Sequence, residues 1–229
     1  CTIPLTGKKE GSMSVCIVGL AAGTISKQMA QCYGDHFDLS IDGVELDPAI
    51  IRLGKEYFGM NEECLTTYAE DGRTFLQRVD KSYDLIITDA YRQPYIPFHL
   101  TTKEYFARKK KLLNPEGIMA INVGTLSDES ALFKRIVTTV KSEFSFVYYI
   151  PVSFPGALFT NFVVVGANRE LNVETLLSAR RNEVLGRLDS IDAWPVARAV
   201  LSKARRNWTV FEAEEKLAPL TDDKAPVEF

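Results

Sequence analysis

Four short segments of this chain place small residues or carboxylates directly after β-branched, apolar runs. The run 14–18 leads into Gly19-Leu20-Ala21-Ala22-Gly23-Thr24 and then a helical pattern. Small residues there let a nucleotide-like ligand approach the backbone without meeting a Cβ, and an ordinary tight strand-to-helix turn gives the same pattern. About 26 residues after Gly19, the run 39–44 ends in Glu45-Leu46-Asp47-Pro48. A carboxylate at that edge suits the two hydroxyls of a ribose, which fits Glu45. Asp47, next to Pro48, is read as a plain helix cap. A third strand near Tyr68 is followed by Glu70-Asp71-Gly72, where Asp71 can accept from an adenine amino group. The fourth, Leu85-Ile86-Ile87-Thr88, runs into Asp89-Ala90-Tyr91. Capping alone does not account for four consecutive strands ending in this way, and open α/β sheets bind ligands along that edge.

The elements that position these residues alternate in the manner of an α/β protein with a largely parallel sheet. Seven strands are predicted, at 14–18, 39–45, 64–68, 83–88, 117–123, 146–150 and 161–166. Helices are predicted at 24–32, 48–58, 72–79, 101–113 and 127–144, with a helical tail over 173–203. Asn114-Pro115-Glu116-Gly117 is a stop signal. The connection 151–160 contains Pro155-Gly156 and is too short for a helical crossover, so the last two strands form an antiparallel hairpin. This order is that of the Rossmann-like S-adenosylmethionine-dependent methyltransferase fold. The expected organisation is a lead-in at 1–13, a nucleoside-binding domain at 14–170 and a C-terminal extension at 171–229.

Composition excludes several classes. With 229 residues, 46% of them hydrophobic, the chain can bury its own core without a staple. Lys and Arg number 27 against 30 Asp and Glu, a net charge of −3 that argues against nucleic acid. Four cysteines without a CxxC pair and two histidines argue against a metal site and a disulfide framework, which suggests a reducing, cytoplasmic setting. No apolar run approaches the length of a membrane span and no signal-peptide pattern opens the chain.

Taken as a set, these segments resemble the spermidine synthases and related aminopropyltransferases over nearly all of 14–166. Val18 to Thr24 resembles that family's glycine-rich nucleoside loop. Gly43 to Pro48 resembles its ribose-binding segment, Glu70-Asp71-Gly72 its adenine-binding turn, and Tyr83 to Asp89 the strand bearing its catalytic aspartate. Ile96 to Thr101 and Leu220 to Glu228 are similar to a bacterial spermidine synthase-like subgroup. The resemblance implies a small-molecule amine, or another nucleophile, attacking the methylene carbon beside the sulfonium of decarboxylated S-adenosylmethionine. Gly19, Ala21, Gly23, Thr24, Glu45, Leu46, Asp71, Gly72, Asp89 and Ala90 would hold this co-substrate. Asp89 would attract the ammonium and accept or relay its proton, with Tyr91 lining the pocket. The resemblance further implies a homodimer as the partner state.

The chain departs from that pattern at two amine-site positions. Arg92 stands where a second acid helps hold a diamine's far ammonium, and Phe154 replaces a tyrosine. A cation at Arg92 repels a polyamine and suits an anionic acceptor or the carboxylate of intact S-adenosylmethionine. A methyltransferase and a non-catalytic nucleoside-binding domain are therefore the alternative readings. His99 is a loop histidine with a weaker claim to the site, and Arg108-Lys109-Lys110-Lys111 is read as a solvated helix face. Asp222-Asp223 is either a solvated tail or a replacement for the missing acid, and Trp194 and Trp208 are core or interface anchors.

Overall fold

A computed structural model of the protein describes residues 3–91, 96–152, 160–172, 208–211 and 217–223. The predicted tail helix, Trp194, Arg92, Phe154 and the turn around Pro155-Gly156 lie outside the described residues. Among the described residues eight strands form one sheet in the order β3-β2-β1-β4-β5-β7-β6-β8. They are β1 Gly11–Val18, β2 Phe37–Glu45, β3 Leu65–Ala69, β4 Tyr83–Thr88, β5 Leu113–Thr125, β6 Phe146–Val152, β7 Thr160–Ala167 and β8 Thr209–Val210. The first five are mutually parallel. β7 runs antiparallel to both β5 and β6, so the expected hairpin pairing is present.

The count is eight where the sequence predicts seven. β8 is two residues, Thr209 and Val210, paired with Tyr149 and Tyr148 of β6, too short to leave a periodic signal. The first strand also starts earlier, at Gly11, and Leu5, Thr6 and Lys8 before it are tied into the fold. Leu5 is buried in the core, Arg169 donates to the carbonyls of Leu5 and Thr6, and Lys8 pairs with Asp84 at 2.8 Å. β5 begins at Leu113, not at residue 117, because Asn114-Pro115-Glu116 forms an irregularity: Tyr83 pairs with Leu113 and then Leu85 with Ile118. Pro115 lacks an N–H, and such an interruption absorbs it.

Among the described residues five α-helices cross over between strands: α1 Thr24–Tyr33, α2 Pro48–Tyr57, α3 Gly72–Arg78, α4 Lys103–Leu112 and α5 Ala131–Glu143. Alternation along β1 divides the core into two. Val15 and Ile17 face a cluster with Met29, Tyr33 and Ile51 from α1 and α2, while Cys16 and Val18 face Phe75, Phe106 and Ile136 from α3, α4 and α5. Both faces of the parallel strands are thus covered, which is why Val15 to Val18 of β1 and Leu85 to Ile87 of β4 are continuous apolar runs. Among the described residues no helix is long and apolar enough to cross a membrane.

The basic run on α4 is not a solvated face. Arg108 donates to the carbonyls of Leu76, Gln77 and Val79, closing the C-terminus of α3, and Lys110 donates to that of Glu143 at the end of α5. These are the carbonyls a helix leaves unpaired, and cations there also meet the negative end of the helix dipole. Lys109 is fully buried beside the rings of Tyr105 and Phe106, with its amine 3.9 Å from Met119 Sδ. Burial drives the Lys109 ammonium down to about 7.

Candidate functional site

The C-terminal ends of β1 to β5 meet where the strand order reverses, between β1 and β4, the place where open α/β sheets form a crevice. Gly19, the first residue after β1, has φ +88°. A Cβ there would fall 2.8 Å from Ala90 Cα and closer still to the Asp89 carbonyl, so glycine lets the two loops touch backbone to backbone. Asp89 N–H donates to the Val18 carbonyl at 2.8 Å, and the N–H groups of Gly19 and Leu20 donate to Val44 O. The loop that follows β1 is thereby welded to the β2 and β4 ends. Gly23 has φ +83° as the residue before α1 and lies against Met60, while Gly72 lies against Val18. In this chain the close approaches permitted by all three glycines are made by protein.

Glu45 stands half-buried at the end of β2 and uses both carboxylate oxygens. Oε2 accepts from Ala21 N–H at 2.9 Å and Oε1 from Asp47 N–H at 3.2 Å. Ala21, at φ +50°, takes a left-handed conformation that a non-glycine residue adopts at some cost, and this bond holds it there. A carboxylate oxygen has two lone pairs, so each retains acceptor capacity toward the rim. Leu46, 69% exposed, and Thr24 at the start of α1 are uncovered on the same rim. Asp47 caps α2 by accepting from Ala49 N–H at 2.8 Å, as its position before Pro48 predicts.

Asp71 is bound on both sides. Its Oδ1 accepts from Thr74 N–H at 2.9 Å and caps α3, and its Oδ2 lies 3.0 Å from His99 Nε2. Burial raises its pKa, but the Thr74 N–H and then His99 outweigh burial and leave the carboxyl below its ordinary range. His99 sits on a short turn, Phe98–Leu100, held from outside by Arg73. Arg73 donates to the His99 carbonyl at 3.1 Å, to Thr102 Oγ1 at 3.2 Å and to both oxygens of Asp222. Asp222 therefore belongs to an ion pair with Arg73. The segment before it is anchored by Leu220, which is buried, donates to Thr139 Oγ1 at 2.9 Å and accepts from Lys103 N–H at 2.8 Å.

Asp89 is half-buried and accepts from Asn122 Nδ2 at 2.9 Å. Ala90 packs on the core beneath. Tyr91 is committed to the backbone of β5: its hydroxyl donates to the Asn122 carbonyl at 3.0 Å and accepts from Gly124 N–H at 2.6 Å. Burial, more than the Asp89 charge, pushes its phenol up to about 12, so it keeps the proton it donates. Below them, Thr88 Oγ1 and Tyr105 OH lie 2.8 Å apart. Hydrogen bonds and backbone packing thus bring Gly19, Ala21, Glu45, Asp89, Ala90 and Tyr91 together, and Asp71 joins through Glu70 N–H, which donates to Glu45 O at 3.0 Å. Sequence reasoning missed Asn122, although a lone amide inside the apolar run Ile118 to Val123 was there to be read.

Residues 15–175 match the Spermine/spermidine synthase domain. A probable polyamine aminopropyl transferase of Bifidobacterium longum is 31% identical over 226 residues, 96% of this chain and 49% of that protein. The chain spans about half the length, or less, of this and other curated relatives it matches. A probable spermidine synthase from Corynebacterium glutamicum is similar in structure, with TM-score 0.64 and 26% identity over 76% of this chain and 63% of that one. Human methyltransferase-like protein 13, in complex with SAH, shares the fold at TM-score 0.65 and 18% identity, over 83% of this chain and 86% of that one. The strand order, the glycine and carboxylate rim and the domain match over most of the sequence together make this chain a member of the spermine/spermidine synthase family.

Proposed function

We propose that this domain binds decarboxylated S-adenosylmethionine along the rim and transfers its aminopropyl group to an amine. Asp89 carries the reading: a half-buried carboxylate held by a neutral amide, with no cationic partner among the described residues. In the reaction, the amine nitrogen forms a bond to the methylene carbon beside the sulfonium as the carbon–sulfur bond breaks. Methylthioadenosine leaves with the bonding electrons. The nitrogen's surplus proton passes to Asp89 or through it to water. Because the electrophile is already activated, the protein's contribution is alignment, desolvation and this proton. Glu45 would take the ribose hydroxyls, Asp71 the adenine amino group, and Leu46 would cover the base. Family membership favours aminopropyl over methyl transfer, and Arg92, three residues after Asp89 in the sequence, favours an acceptor other than a diamine.

The test is to incubate the protein with decarboxylated S-adenosylmethionine and a panel of primary amines that includes putrescine and spermidine. Methylthioadenosine and the aminopropylated product are then measured together. Stoichiometric release of both is expected, with putrescine among the poorer acceptors. Methyl transfer from intact S-adenosylmethionine without methylthioadenosine release would replace this reading by the methyltransferase one.

A further inference from the structure

We infer that Asn122 is the positioning residue that presents the Asp89 carboxylate to the incoming amine, an inference that rests on the transfer reading above. Residues 118–123 of β5 are apolar apart from Asn122, and asparagine is disfavoured in strands. Its amide orientation follows from its neighbour. A carboxylate accepts only, so Nδ2 must face Asp89 Oδ1, at 2.9 Å, and Oδ1 of the amide must face away. That Oδ1 is sealed from solvent and has no hydrogen-bond partner among the described residues. A buried unpaired acceptor lowers stability, and an apolar side chain of the same shape would avoid it. The amide thus works against the fold, and what it does do is hold Asp89.

Three attachments immobilise this acid. The Asp89 N–H is tied to Val18 on β1, the side chain to Asn122 on β5, and the following Tyr91 hydroxyl to the Asn122 and Gly124 backbone. The other carboxylate oxygen, Oδ2, has no protein partner among the described residues and stays available to an ammonium. A neutral donor is the suitable anchor. Lysine or arginine at this position would hold Asp89 equally well and would neutralise the charge that draws in a cationic substrate.

The experiment compares wild type with Asn122→Leu and Asn122→Asp. It measures thermal midpoint, methylthioadenosine affinity by calorimetry, and the rate of transfer from decarboxylated S-adenosylmethionine to the best amine of the panel across pH. Asn122→Leu should be as stable as wild type or more so, bind methylthioadenosine within about twofold, and lose about 10- to 100-fold in kcat, an ångström-scale misplacement being enough for that. Asn122→Asp should move the acid limb of the kcat/KM profile to higher pH by about one unit, because two adjacent carboxylates share a proton. A structural asparagine would give the reverse for Asn122→Leu, with a lower midpoint and normal turnover per folded molecule, and that outcome overturns the inference. Normal wild-type turnover with an unaffected Asn122→Leu sinks this inference alone. A wild-type protein that releases no methylthioadenosine with any amine sinks the transfer reading and this inference with it.

Discussion

Four acids in or at the ends of the strands fall into two groups that differ in what neutralises them. Asp84, at the start of β4, is buried and meets Lys8 at 2.8 Å, Ser14 N–H at 2.9 Å and Asn114 Nδ2 at 2.7 Å. Asp42, within β2, is equally buried and meets Lys81 at 2.8 Å and the Tyr83 hydroxyl at 2.7 Å. On the rim, Glu45 and Asp89 are held by backbone or amide N–H groups, and neither has a cationic partner among the described residues. On the proposed reading, the contrast separates structural from ligand-facing carboxylates. A buried acid needs a counter-charge from the protein, whereas on that reading the rim acids keep free lone pairs for the ligand, Glu45 for ribose hydroxyls and Asp89 for an ammonium.

Exchanging acid for amide should affect the two groups in opposite ways. Asp89→Asn keeps the shape and should reduce transfer by about 10²–10⁴-fold, the range for losing a general base, with little change in thermal midpoint. Asp84→Asn should do the opposite, costing about 1–3 kcal/mol in a denaturation experiment while turnover per folded molecule stays normal. If Asp89→Asn unfolds instead, the two groups are not different in kind.

Lys109 is a buried cation with no acid beside it among the described residues. Its folded pKa lies below that of the unfolded chain, so between about pH 7 and the ordinary lysine range the unfolded state binds more protons and stability rises with pH. Lys109→Met should therefore stabilise the protein by roughly a few kcal/mol near pH 6, each pK unit being worth about 1.4 kcal/mol. The gain should shrink toward pH 10. Midpoints of denaturant unfolding at the two pH values check it, and an equal gain at both would mean that packing alone is responsible.

A smaller change is expected at Glu45. Glu45→Gln should weaken methylthioadenosine binding by about 1–3 kcal/mol on titration calorimetry, the scale of a hydrogen bond to a charged group. Unchanged affinity would remove the ribose assignment. Smallest is the Arg73–Asp222 pair, which lies at the surface. The Arg73 hydrogen bond, working against burial, holds the Asp222 carboxyl below its ordinary range. Its stabilisation is thus complete above the ordinary carboxylate range and lost as pH falls through the lower folded value. Asp222→Asn should lower stability at pH 7 by roughly 0.2–1 kcal/mol and leave the two proteins equal in strong acid. A constant difference across pH would exclude the pair as its source.

Much of this architecture was legible because parallel strands buried on both faces are short, β-branched and bounded by glycine or acid, as at 14–18 and 83–88. The rim followed from the same boundaries. Spacing could not reveal the partners. Asp71 meets His99 across 28 residues and Asp89 meets Asn122 across 33, distances set by the strand order and not by any local period. The charged run 108–111 misled for a related reason. Four adjacent cations suggest solvent, but successive residues of a helix point in different directions, so one was buried and two reached neighbouring helix ends.

Arg73 has a mechanical consequence. It touches the His99 carbonyl, the Thr102 hydroxyl and Asp222 at once, while Lys103 and Thr139 grip Leu220. Residues far apart in the chain thereby form one cooperative unit over α3, opening and closing together. In amide hydrogen exchange, the N–H groups of Lys103 and Leu220 should share a single protection factor and lose it in step when acid discharges Asp222. The turn that steadies Asp71 would loosen in the same event.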